Sequence, residues 1–218
     1  MNNLKKIIQK FGNREDFFFI QVGAHDGVSF DPINEFVLKY NWKGILIEPI
    51  TDYFELLVEN YKGCDNLIFE NLGVSSKTGV SDFKYFPKKY ASKYVKSKIS
   101  PEAMGSAGMD FCYNKKRGKI CEHIKTQSVK LITFADLVKK YKLSHVDLLQ
   151  IDAEGHDFEI IKGIDFNDIS PDVIHFESDK IDKKITYKFL EKNGYYCIGG
   201  SGDNDTLAIN KSKYGDII

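Results

Sequence analysis

Two short stretches of this chain combine glycine with ionisable side chains where a buried strand should stop. The first is Gly23-Ala24-His25-Asp26-Gly27, directly after the apolar run Phe17 to Val22. Glycines in such a turn let a ligand approach the backbone closely. In open α/β sheets the first strand-to-helix turn is a nucleotide site. The second is Asp152-Ala153-Glu154-Gly155-His156-Asp157, after the run Val146 to Ile151. Ionisable groups packed at a strand's carboxyl end suit a reacting centre. They equally suit a capped helix start, with Asp152 satisfying amides and Glu154 and Asp157 favouring the N-terminus. Between them lies Glu48, at the end of Gly44 to Glu48. An acid there can accept both ribose hydroxyls of an adenosine ligand, although a solvent-facing acid would read the same way.

These residues need a scaffold, and the pattern around them supplies one. Leu4, Ile7, Ile8 and Phe11 fall at helical spacing in an N-terminal helical segment spanning 1–16. The dense runs at 17–22, 44–48 and 146–151 read as strands covered on both faces, as in a parallel sheet. Further strands are expected at 67–74, 79–86, 128–132 and 173–176, with a closing hairpin at 195–198 and 206–209. Helices are expected at 32–40, 51–61 (capped by Thr51), 133–141 (capped by Thr133), 158–162 and 183–193. Strands alternating with helices predict a parallel sheet with right-handed crossovers. The hairpin predicts an antiparallel edge.

Composition limits the function. The 218 residues suffice for a single domain, 1–218, with one elaborated loop. Lys+Arg and Asp+Glu are both 31, so the chain lacks the bulk positive field of a non-specific nucleic-acid binder, and no nucleic-acid partner is expected. No apolar run has the length of a membrane span and no signal-like segment opens the chain, which predicts a cytoplasmic protein without membrane contact. Cys64, Cys112, Cys121 and Cys197 form no paired motif and read as free thiols; Cys112, Cys121 and His123 match no common zinc spacing. Charge is uneven: from Lys84 to Lys130 there are twelve Lys/Arg against three acids. The segment 84–127 therefore reads as a basic insert near the active site, able to meet an anionic acceptor or simply to be solvated.

Together, Val22-Gly23-Ala24-His25-Asp26-Gly27, Ile47-Glu48-Pro49, Asn71-Leu72-Gly73-Val74-Ser75 and Val146 through Asp157 resemble the FkbM-type family of S-adenosylmethionine-dependent methyltransferases. The resemblance spans about residues 17–178. It implies an α/β fold: a seven-stranded, mostly parallel Rossmann-like sheet with an antiparallel last strand and helices on both faces. It implies S-adenosylmethionine as cofactor. By position, Gly23, Ala24, His25, Asp26 and Gly27 look like the loop around the cofactor's amino-acid part. Glu48 and Pro49 look like the ribose acid and its neighbour, Asn71, Leu72, Gly73 and Val74 like the adenine segment, and Asp152 like the acid near the methionyl end. Asp157 stands where the family usually has Glu.

Methyl transfer mainly needs donor and acceptor held collinear. A hydroxyl acceptor must also lose a proton, for which His156 is the first candidate base, Asp152 a helper or participant, and His25 a weaker alternative. Asp152, Glu154 and Glu177 could converge on Mg²⁺ through oxygen, a reading not favoured over metal-free transfer. The expected activity is O-methylation of a sugar or other small metabolite. The alternatives are a non-catalytic nucleotide-binding or interaction module on the same fold, and an NAD-dependent oxidoreductase. The last lacks its Gly-x-Gly-x-x-Gly turn.

Overall fold

A computed structural model describes residues 3–90, 106–107, 122–199 and 204–214, with the backbone alone at 106–107. Most of the expected basic insert, 91–105 and 108–121, lies outside the described residues.

The principal sheet has seven strands in the order β10-β11-β9-β8-β1-β2-β3. They are β1 (Phe18–Val22), β2 (Lys43–Ile47), β3 (Leu67–Glu70), β8 (Leu148–Ile151), β9 (Val173–Glu177), β10 (Tyr195–Gly199) and β11 (Asp205–Asn210). β1 pairs in parallel with both β2 and β8, and β9 extends the parallel set beside β8. β11 runs antiparallel to both its neighbours, β9 and β10. The strand order reverses at β1 and β8, and the crevice of a doubly wound sheet opens at such a point.

Side-chain alternation divides two cores between the faces of this sheet. Ile20, Val22, Leu149 and Ile151 pack with α4 (Phe134–Tyr141), α5 (Asp157–Lys162) and α6 (Lys183–Lys192), through Phe134, Leu137, Ile160 and Leu190. Phe19, Leu46, Leu148 and Val173 pack with α1 (Asn3–Phe11), α2 (Asn34–Tyr40) and α3 (Thr51–Asn60), through Leu4, Ile8, Phe36 and Leu57. The apolar runs of the sequence are thus strands covered on both sides. α7 (Lys211–Tyr214) closes the described chain.

A second, four-stranded sheet was not foreseen. Its order is β4-β7-β5-β6, with β4 (Gly73–Ser75), β5 (Gly79–Tyr85), β6 (Ser106–Ala107) and β7 (Lys125–Thr133). The single strand expected at 67–74 is two: β3 ends in the principal sheet, and β4 turns out of it to pair in parallel with β7. β7 is also longer than the expected 128–132, because all of β5 pairs with it antiparallel. The ends of the expected insert, 84–127, therefore fall within the β5–β7 pair, where Lys84 lies opposite Thr126.

Helix starts follow the chemistry of their flanking residues. The Thr133 hydroxyl accepts from the Asp136 amide at 3.0 Å, as expected of a cap. Thr51 does not cap α3 but begins it; the Ile50 amide is taken by Glu48 instead. α2 starts at Asn34, after Asp31 Oδ1 accepts from the Ile33 and Asn34 amides. Among the described residues, no helix is long and apolar enough to cross a membrane.

Candidate active site

The site is built at the β1/β8 reversal. The Asp152 amide donates to Val22 O and the Gly23 amide to Ile47 O, both at 2.9 Å, which ties the ends of β8, β1 and β2 together. Gly23 has φ +78, and a Cβ there would lie 1.9 Å from the Asp152 carbonyl oxygen. Only glycine lets the two strand ends close on each other.

The remainder of the first loop is braced from behind. Asp26 Oδ1 accepts from the Val28 and Ser29 amides, and Oδ2 from the Ser29 hydroxyl. Burial opposes its charge, but His25 and the Ser29 and Val28 groups outweigh it and hold the carboxyl far below the usual range. Lys88, just beyond β5, brings its ammonium 3.6 Å from Asp26. The His25 ring stacks on Tyr53 at 4.1 Å, and its Nε2 is buried without a hydrogen-bond partner among the described residues.

Glu48 is 2 % exposed. Its Oε2 accepts from the His25 amide and its Oε1 from the Ile50 amide, each at 2.9 Å. Burial pushes its carboxyl up to about 7 despite both amides. Asn71 Nδ2 donates to the carbonyls of Glu48 and Pro49, and Gln127 Nε2 to that of Pro49.

In front of this frame lie two adjoining clefts. The first, about 540 Å³, is walled by Val22, Gly23, Pro49, Leu72, Gly73 and Asp152. The second, about 860 Å³, is walled by Ser75, Ser81, Asp82, Lys84, Leu131 and Gly155. Val74, Phe83, Ala153, Glu154 and His156 line both and form the boundary. Of the residues expected at a cofactor, Gly23, Pro49, Leu72, Gly73, Val74 and Asp152 therefore face the first cleft. Ala24, His25, Asp26, Gly27, Glu48 and Asn71 lie outside its lining and organise the loops behind it.

The second motif supplies the boundary. Glu154 (φ +53) and Gly155 (φ +97) turn the chain sharply after β8. Buried Asp157 holds that turn, with Oδ2 accepting from the Gly155 amide at 3.1 Å. Burial, reinforced by Asp152, raises the Asp157 carboxyl to about 7. Asp152 keeps an exposed face, yet atoms packed on its other side desolvate it and, with the charge of Glu154, raise it to about 6. His156 Nε2 lies 3.0 Å from Ser75 Oγ. Desolvation keeps the His156 imidazole below its ordinary pKa.

The magnesium set meets an obstacle. Lys180 inserts its ammonium between Glu154 and Glu177, contacting both carboxylates. Burial raises Glu177 to about 7 even with Lys180 beside it. A side-chain cation thus already fills the place between two of the three expected ligands. Among the described residues, ligand atoms gather as a possible metal trio only at His145, Asp147 and Asp172, at the opposite end of the strands.

Sequence reasoning missed Ser75 and Phe83 as cleft residues, since their position depends on the unforeseen second sheet; Lys84, at the start of the segment expected near the active site, lines the second cleft. The one available signal was the odd break at Asn71-Leu72-Gly73, where β3 leaves the principal sheet.

The sequence profile described as "Methyltransferase FkbM domain" matches residues 21–197. The chain belongs to this family. No curated protein sequence matches the chain. Its fold resembles the crystal structure of an FkbM methyltransferase from Methylobacillus flagellatus, with a TM-score of 0.53 at 12% identity. That alignment covers 89% of this chain and 44% of the other, so this chain spans less than half of that protein's length. An RNA methyltransferase from Salinibacter ruber, crystallised with S-adenosyl-L-homocysteine, aligns at a TM-score of 0.45 and 11% identity, covering 94% and 86%. A putative rRNA methylase from Clostridium thermocellum aligns at 0.49 and 8% identity, covering 95% and 94%.

The FkbM domain is an S-adenosylmethionine-dependent methyltransferase domain, and the first cleft fits that donor chemically. Among the described residues its walls are apolar apart from Asp152, Glu154 and His156, and carry neither lysine nor arginine. Carboxylates facing apolar walls suit a ligand with a cationic sulfonium and ammonium beside a flat base.

Proposed function

We infer that this FkbM domain transfers a methyl group to a hydroxyl of a sugar or other small polyol, with the donor in the first cleft and the acceptor in the second. The observation that carries this reading is the shared boundary: one chamber is anionic and apolar, the other is lined by hydroxyls and charged groups, and His156 lies where they meet. Bound S-adenosylmethionine supplies the electrophilic methyl carbon. Gly23, Gly73 and Pro49 leave room for it, Leu72 and Val74 flank its base, and Asp152 faces its cationic end. Ala24, His25, Asp26, Gly27 and Asn71 hold the loops that shape this chamber. Glu48, buried and outside the lining, shapes this chamber by holding the His25 and Ile50 amides. His156 takes the acceptor's proton at Nε2, and Asp152 orients the charge at the boundary. Phe83 and Leu131 give the acceptor an apolar face, while Ser81, Asp82 and Lys84 can bond its hydroxyls.

The balanced net charge supports a small acceptor over RNA. A transfer assay with radiolabelled methyl donor tests this against mono- and oligosaccharides, polyols and short RNAs. Label is expected on a carbohydrate or polyol hydroxyl. Label on RNA alone, or NAD binding in place of S-adenosyl-L-homocysteine binding by calorimetry, would overturn the reading.

A further inference from the structure

We propose that Ser75 relays the acceptor's proton to His156, so that the base is a serine–histidine pair and not a lone imidazole. This rests on the two-chamber reading above.

Ser75 and His156 are 81 residues apart, and their meeting needs the second sheet. β4 leaves the principal sheet after Glu70, pairs with β7 with Ser75 opposite Thr133, and ends beside the turn that begins α5. There Ser75 is 9% exposed, its Oγ lies 3.0 Å from His156 Nε2, and both residues line the acceptor chamber. A hydroxyl in that position can donate to the imidazole while accepting from a hydroxyl in the chamber. An acceptor reaching Nε2 directly would have to displace Ser75 from it.

The step balances without another reagent. A bond forms between the acceptor oxygen and the donor's methyl carbon as that carbon's bond to sulfur breaks, and the electron pair stays on sulfur. The acceptor proton moves to Ser75 Oγ, and the Ser75 proton moves to Nε2. Serine ends as it began, and histidine ends as imidazolium. The arrangement requires Ser75 to donate, so resting neutral His156 must carry its proton on Nδ1. Desolvation, which holds the imidazole below its usual pKa, favours that neutral resting form.

The tautomer can be read with no acceptor in hand. Long-range proton–nitrogen spectra of the full chain should show His156, identified by the signals lost in His156→Ala, as Nδ1–H. Ser75→Ala should shift it toward Nε2–H, and Ser75→Thr should restore it. S-adenosyl-L-homocysteine affinity should stay within about twofold in both Ser75 variants, which reports an intact fold. On the acceptor identified by the transfer screen, Ser75→Ala should lower kcat on the order of 10²-fold and displace the acidic limb of the pH profile, with recovery in Ser75→Thr. An Nε2–H tautomer in the wild-type chain overturns the relay. Loss of turnover in His156→Ala with wild-type turnover and pH profile in Ser75→Ala overturns the relay alone. Wild-type turnover in His156→Ala overturns the assignment of the base itself.

Discussion

Replacing Glu48 by alanine should destabilise the domain, and by less as the pH rises. The carboxyl is 2 % exposed and accepts two backbone amides, from His25 and Ile50. Removing it strands both donors, at about 1–3 kcal/mol for each buried group left unpaired. Against this, burial raises the carboxyl from 4.5 to about 7. The sign follows from proton uptake: a folded-state pKa above the unfolded one gives stability that is complete below 4.5 and lost as pH rises through about 7. Ionised Glu48 therefore costs the wild type about 3 kcal/mol above neutrality, a penalty that Glu48→Ala escapes.

The two effects combine into one measurable trend. Near pH 5 the variant should be less stable by most of the two-amide loss, about 2–5 kcal/mol. Toward pH 8 that gap should shrink by about 2–3 kcal/mol. Urea melts at several pH values give both numbers. The chain's one tryptophan, Trp42, is 1% exposed and stacked on Phe17, so its fluorescence reports global unfolding. A gap that stays constant or widens with pH would refute the reasoning. It would mean that Glu48 ionises as an ordinary surface acid and is not desolvated behind the Gly23 loop.

Three further outcomes follow from other parts of the structure. Gly23→Ala places a Cβ 1.9 Å from the Asp152 carbonyl oxygen at φ +78; the left-handed backbone alone costs about 1–2 kcal/mol, and the overlap adds to it. A wild-type unfolding midpoint in that variant would mean the β1 and β8 ends are not in contact. Asp147→Ala removes a side chain only 1% exposed that accepts from the Phe18 amide and pairs with Arg14 and His145. Arg14 and His145 reach solvent, so the cost is mainly that of the stranded Phe18 amide, about 1–3 kcal/mol in urea melts, and an unchanged midpoint would sink the claim that Asp147 holds that amide. Added Mg²⁺ or a chelator should leave the calorimetric affinity for S-adenosyl-L-homocysteine unchanged, because Lys180 already bridges Glu154 and Glu177. Magnesium-dependent tightening would restore those carboxylates as ligands.

What could be read from the chain alone was the part governed by local patterns. Dense apolar runs such as Phe19 to Val22 and Leu148 to Ile151, each broken by a single glutamine, show no polar alternation and so no solvent face, and a strand with no solvent face belongs inside a layered sheet. Gly23 and Gly155 stood out because positive φ is a backbone demand that residue identity records directly. Thr133 was legible as a cap, since its hydroxyl bonds an amide three residues on. Thr51 misled for the converse reason. The Ile50 amide beside it is satisfied from Glu48, and Thr51 itself bonds Asn71. Glu48 shows the same limit at the site: its position at a strand end was visible, but its near-complete burial depends on a loop that folds back over it.

The second sheet explains why the lining of the first cleft was easier to infer than that of the second. Gly23, Pro49 and Asp152 sit at the ends of adjacent strands of one sheet, so the order of motifs along the chain already implies that they meet. Ser75, Phe83 and His156 come together only because β4 departs from the principal sheet and pairs with β7, and that pairing joins segments whose own patterns are weak. β5 is mostly exposed and its alternation is poor, so neither its partner nor its inner face could be deduced beforehand. A wall built this way is also a natural place for one fold to accept different substrates. Its floor, Asp152 to Asp157, is fixed by the turn after β8. Its side, Ser81 to Lys84, belongs to a strand that few contacts of the principal sheet constrain. Exchanging Ser81, Asp82 or Lys84, which line the second cleft and not the first, should therefore alter which acceptor is methylated while leaving the affinity for S-adenosyl-L-homocysteine as it is.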